Sequence, residues 1–110
     1  MEKIKDKVVL VVGGTGTIGR YTAKLLQSSG ADVYITGRDE NKLKEAADFA
    51  SVPPQRAFVA DITKPRDLQY IASVIPPVDI LINAAGIGII KNFEDLTAEE
   101  FERTISVNLT

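Results

Sequence analysis

Five apolar residues, Val8-Val9-Leu10-Val11-Val12, run directly into Gly13-Gly14-Thr15-Gly16-Thr17-Ile18-Gly19, a stretch with four glycines in seven positions. This junction constrains the fold more than any other feature. So short and continuous an apolar run, closed by glycines, predicts a strand buried on both faces. Beyond the glycines, Ile18, Ala23, Leu25 and Leu26 offer an apolar helical face. That face stops at Ser28-Ser29-Gly30, where Gly30 suits the left-handed position after a helix end. A helix that opens on a glycine turn presents unpaired N–H groups and partial positive charge, and so attracts a phosphate. Glycine lets the backbone approach such a ligand. Gly14, Gly16 and Gly19 spell G-x-G-x-x-G, while Gly13, Gly16 and Gly19 spell G-x-x-G-x-x-G; the sequence leaves both registers open.

The same alternation continues. Val33-Tyr34-Ile35 predicts a second strand, and Asp39 caps a helix carrying Leu43, Ala46, Ala47 and Phe49. Pro53-Pro54 ends that segment. Ala57-Phe58-Val59-Ala60 predicts a third strand, stopped at Asp61. A helix with Leu68, Ile71 and Ala72 then starts around Thr63 to Pro65, with Thr or Lys at the cap and proline in the first turn. Pro76-Pro77 breaks it. Ile80-Leu81-Ile82 predicts a fourth strand. After a loop, the capping box Thr97-Ala98-Glu99-Glu100 opens a last helix with Phe101, Ile105 and Leu109. Strands alternating with helices through short connections predict an α/β fold: a Rossmann-like parallel sheet of four strands with helices on both faces.

Composition excludes several function classes. The 110 residues hold no cysteine and no histidine, so there is no disulfide, thiol nucleophile, Cys/His zinc site or histidine base, and we expect no metal site. A net charge of -2 advertises no nucleic-acid or anionic-membrane partner. No apolar run approaches the ~20 residues of a membrane span, and Met1 to Lys7 is charged at once, so a cytoplasmic location is expected.

In folds of this kind the ribose 2′ position is read about 20 residues beyond the last glycine, where an acidic residue takes the 2′-hydroxyl of NAD. Here Gly37-Arg38 stands there. Glycine leaves room, and arginine offers a bidentate fork for a 2′-phosphate. The sequence therefore predicts NADP(H) as the dinucleotide partner over NAD(H). Asp39 is better explained as the helix cap.

These residues together resemble the short-chain dehydrogenase/reductase family. Gly13 to Gly19 is similar to its glycine motif, and Asp61-Ile62-Thr63 to the acidic turn it sets against adenine. Asn83-Ala84-Ala85-Gly86 is similar to the segment along the cofactor ribose. Val107-Asn108-Leu109 is similar to its asparagine-bearing helix. The resemblance covers essentially the whole chain, in order. It implies strand order 3-2-1-4 and one domain over 1–110, the front part of an oxidoreductase acting on a carbonyl/alcohol pair. It implies cofactor contacts at Gly13, Thr15, Gly16, Thr17, Ile18, Gly19, Arg38, Asp61, Ile62, Asn83, Ala84 and Gly86, and a water-holding role in catalysis for Asn108. Asp61 also reads as a turn residue, Asn83 as an organiser of backbone, and Asn108 as a helix-end polar group.

Two departures stand out. Val12 occupies a position where the family often has threonine, and the Gly13, Gly16, Gly19 spacing is commoner in the sugar-nucleotide branch, which keeps an epimerase reading open. The family's chemistry further needs a serine and a tyrosine followed four residues later by lysine. Tyr21 is followed by Leu25, Tyr34 by Arg38 and Tyr70 by Val74. This chain alone is thus expected to be inactive, with a non-catalytic sensor or partner module as the other reading. An unpaired fourth strand at the sheet edge predicts marginal stability or a homo-oligomer.

Overall fold

The computed structural model describes residues 4–61, 63–84 and 88–90. Strands β1 (Val8–Val12), β2 (Asp32–Gly37), β3 (Ala57–Val59) and β4 (Ile80–Asn83) are parallel and lie in the order 3-2-1-4. Helices α1 (Thr17–Ser28), α2 (Glu40–Ala50) and α3 (Pro65–Val74) join them. β1 is central, as its unbroken apolar run requires. Val9 and Val11 pack on one side with Ala23 of α1 and Leu43, Ala46, Ala47 and Ala50 of α2. Leu10 and Val12 pack on the other side with Ile71 of α3, Val78 and Leu81. Truncating a fully buried residue such as Leu10 or Leu81 to alanine costs about 2–5 kcal/mol, because the rigid layers cannot close the cavity.

Local signals end the elements where the sequence places them. Gly30 takes φ 93° after α1. The Asp39 carboxylate accepts from the Lys42 amide at 3.0 Å and caps α2. Lys64, not Thr63, is the cap residue of α3, with Pro65 in its first turn. Pro54–Arg56 makes one turn of 3-10 helix where the sequence predicts only a break.

Two expectations are corrected. Of the expected apolar face of α1, Ala23 is buried and Leu26 packs against the core, but Ile18 and Leu25 are exposed and Gly19 is buried instead. Small residues let the helix axis approach the sheet, and that approach, not side-chain hydrophobicity, decides which face turns inward. Secondly, β4 is not an unpaired edge. Residues Gly88–Ile90 form β5, antiparallel to β4 with Leu81 opposite Ile90 and Asn83 opposite Gly88. Its backbone satisfies the β4 edge that would otherwise recruit a second chain, so the stated ground for self-association is gone. The expected last helix, with Phe101, Ile105 and Leu109, lies outside the described residues.

Candidate functional site

Parallel strands bring their C-terminal ends to one rim. In register, Val12 lies opposite Thr36 of β2 on one side and Asn83 of β4 on the other, so the glycine loop lies between Arg38, just beyond β2, and Ala84, just beyond β4. Ligands of open α/β sheets bind at such a rim, where the strand order reverses, here between β1 and β4.

The glycines of the loop have different physical reasons. Gly13 takes φ 75°, a conformation that a side chain opposes. Gly19 sits in the first turn of α1 with no room for a side chain. A Cβ there would lie 2.6 Å from the Gly13 carbonyl oxygen, 2.8 Å from Gly14 Cα and 3.1 Å from Ala84 Cβ. This closeness seats α1 against the ends of β1 and β4. Gly14 packs on Ile35, with its amide donating to the Thr36 carbonyl at 3.1 Å.

Gly16 is unlike these. Its φ is -75°, open to any residue, and a Cβ there would meet no atom within 4 Å. Neither conformation nor packing requires glycine. It is the N-cap of α1, supplies no side-chain cap, and no acidic residue stands in the first turn. The N–H groups of that turn therefore have no cap from the Gly16 side chain and no acidic neighbour in the turn to offset their partial positive charge. An anion bound through backbone amides needs this arrangement, and a Cβ at Gly16 would project into the open space beside it. Thr17 and Ile18 flank it; Ile18 is 71% exposed.

Arg38 follows β2 directly, is exposed, and makes no ion pair among the described residues. Asp61 lies at the end of β3. Its Oδ1 accepts from the Thr63 hydroxyl at 2.6 Å and the Thr63 amide at 3.0 Å, and its own amide donates to Asp67 Oδ2 at 2.7 Å. The Thr63 hydroxyl first, then the Thr63 amide, hold the Asp61 carboxyl below its ordinary value; partial burial opposes them, and the charges of Lys64 and Arg38 add to them. Asp61 thus organises the turn after β3 through Thr63, and the same bonds favour its ionised form. Asn83 is buried, and the Ala84 amide donates to the Val12 carbonyl at 2.9 Å, locking β4 to β1 beside the loop.

The structure thus brings Gly13, Thr15, Gly16, Thr17, Ile18, Gly19, Arg38, Asp61, Asn83 and Ala84 to one rim. Ile62, Gly86 and Asn108 lie outside the described residues. Sequence reasoning missed Arg20. Its Nη2 donates to the Thr15 carbonyl at 2.9 Å while its guanidinium stands 5.9 Å from the Phe49 ring centroid. It ties the glycine loop to α2. No local motif announces that tie, because it depends on how α1 and α2 pack.

A family model described as short chain dehydrogenase matches residues 7–110. The NAD-dependent glycerol dehydrogenase of Listeria innocua is 35% identical over 96% of this chain and 43% of its own length. A crystal structure of a short chain dehydrogenase from Bacillus anthracis superposes with a TM-score of 0.69 at 31% identity, over 96% of this chain and 44% of that one. The Pseudomonas aeruginosa RhlG/NADP active-site complex gives 0.64 at 30% identity, over 76% of this chain and 36% of that one. The chain spans about half the length, or less, of the relatives it matches. Among the described residues, no helix is long and apolar enough to cross a membrane.

Proposed function

The chain belongs to the short chain dehydrogenase family, an oxidoreductase family that binds nicotinamide dinucleotides, and from that premise we propose that residues 1–110 are its NADP(H)-binding Rossmann-type part. The whole protein, on this reading, acts on a small carbonyl or alcohol. The observation that carries the proposal is Gly16, a glycine needed neither by its dihedrals nor by its neighbours, at the uncapped mouth of α1.

The residues then divide the work. Amides of Thr17, Ile18 and Gly19 donate to the diphosphate, and exposed Ile18 offers the nicotinamide side an apolar surface. Arg38 donates to the 2′-phosphate, and Gly37 sets no carboxylate against it. Asp61 and Ile62 border the adenine; Asn83, Ala84 and Gly86 line the ribose. Asn108 holds a water of the proton relay. The cofactor, when bound, supplies or accepts hydride. The proton-transferring tyrosine-lysine pair is not among these residues, so this chain alone is expected to turn over no carbonyl substrate.

Titration of the chain with NADPH and NADH, followed by nicotinamide fluorescence, tests this. We expect NADPH to bind at least ~10-fold more tightly, since a charge-assisted bond is worth about 1.5–3 kcal/mol. Tighter NADH would overturn the NADP(H) assignment in favour of the preference named for the Listeria relative.

A further inference from the structure

The glycine loop presses on the end of β2 at successive points. Gly14 meets Ile35, and its amide bonds the Thr36 carbonyl. At the third point a Cβ added to Gly37 would lie 2.5 Å from Thr15 Cγ2, with Leu43 Cδ1 at 3.6 Å. Gly37 is buried and does not take a positive φ, so space and not backbone conformation excludes a side chain there. Thr15 has little freedom to retreat. Arg20 Nη2 holds its carbonyl at 2.9 Å, and Arg20 is itself braced against Phe49 of α2.

We propose that Thr15 is a specificity-determining residue: its Cγ2 methyl fills the place where a side chain at position 37 would begin, and so leaves the ribose 2′ position to Arg38. The inference rests on the dinucleotide reading above. Position 37 is where an acidic residue would select a 2′-hydroxyl. An aspartate there must first displace the Thr15 methyl. Of the three staggered rotamers of threonine, only one points a hydrogen at that slot, and β-branching makes the change of rotamer costly. Serine at 15 clears the slot with its hydroxyl left in place. Valine does not. The residue that decides the 2′ preference therefore lies in the phosphate loop, 22 positions before the one that would touch the ribose.

The test is a mutant cycle on the full chain, with thermal unfolding and dinucleotide affinity as separate readouts. Gly37→Ala should lower Tm by about 5 °C or more when residue 15 is threonine or valine, and by less than ~2 °C when it is serine. Gly37→Asp alone should bind NADPH and NADH each at least ~10-fold more weakly. Thr15→Ser with Gly37→Asp should recover NADH while NADPH stays weak, because the carboxylate repels the 2′-phosphate. A Gly37→Asp chain that unfolds while the double variant folds supports the same coupling. Equal Tm losses with threonine, valine and serine at 15 would overturn the proposal, as would a full switch to NADH by Gly37→Asp alone. If the unchanged chain binds neither dinucleotide, the dinucleotide reading fails and the specificity role fails with it. The Tm cycle still decides the contact between residues 15 and 37 in that case.

Discussion

The inner wall of the glycine loop and its outer lip are built from the same residue type for opposite reasons. On the wall, Gly13 needs a positive φ and Gly19 has backbone atoms 2.6 and 2.8 Å from where a Cβ would stand. On the lip, Gly16 has an ordinary φ and open space. Backbone conformation at Gly13 and close packing at Gly19 force the wall glycines whether or not any ligand exists. The lip glycine is required by neither its dihedrals nor its neighbours, which leaves a modest N-cap preference and the approach of a ligand from outside as its physical reasons. A glycine motif in a sequence mixes both kinds, and only the geometry separates the fold's requirement from the ligand's.

The sharpest way to break this comparison is Gly19→Ala. The atoms it would strike belong to backbone and cannot swing aside, so stability should fall by roughly 3 kcal/mol, read by denaturant unfolding. A small loss would mean that the wall is not tight. Arg38→Ala should leave stability within about 0.5 kcal/mol and cost about 2 kcal/mol of NADPH affinity, roughly 30-fold, with NADH unchanged. Gly16→Ala should weaken both dinucleotides about 10-fold while stability shifts by less than ~1 kcal/mol, since only an N-cap preference is at stake. A Gly16→Ala chain that binds as before would erase the distinction between lip and wall.

The smallest effect concerns Asp61, at the rim of β3. Its folded pKa lies below the ordinary 3.8. A lowered carboxylate pKa contributes stability that is fully present above the ordinary value and is lost as pH falls through the folded value. Acid unfolding below about pH 4 should therefore include an Asp61 component, which Asp61→Asn removes. The carboxylate is only partly shielded, so the component should stay under about 0.5 kcal/mol. An unchanged acid limb in Asp61→Asn would remove that component from the account.

Much of this architecture was legible in the chain because local chemistry and global fold agree. The apolar run of β1, Asp39 at a cap, Gly30 after a helix and the paired prolines each dictate one local outcome. Interactions between distant segments were not legible. The α1 face was misjudged in part: Ala23 is buried and Leu26 packs against the core as expected, but Gly19 takes an inward position through closeness and the larger Ile18 and Leu25 stay outside. β5 escaped notice because Gly88-Ile89-Ile90 carries no strand alternation, and its only definition is the open edge of β4. The meeting of Thr15 with Gly37 needs the register that sets Val12 opposite Thr36, which no motif encodes. The candidate site was readable as a set of residue types, whereas the reason for each glycine was not.

The most direct measurement is an amide chemical-shift titration of the isotope-labelled chain with NADPH. The account expects the largest changes at the N–H groups of Gly14 to Gly19, with the Arg38 side chain responding as well. Shifts absent from the first turn of α1, or concentrated instead at the start of α3, would contradict it.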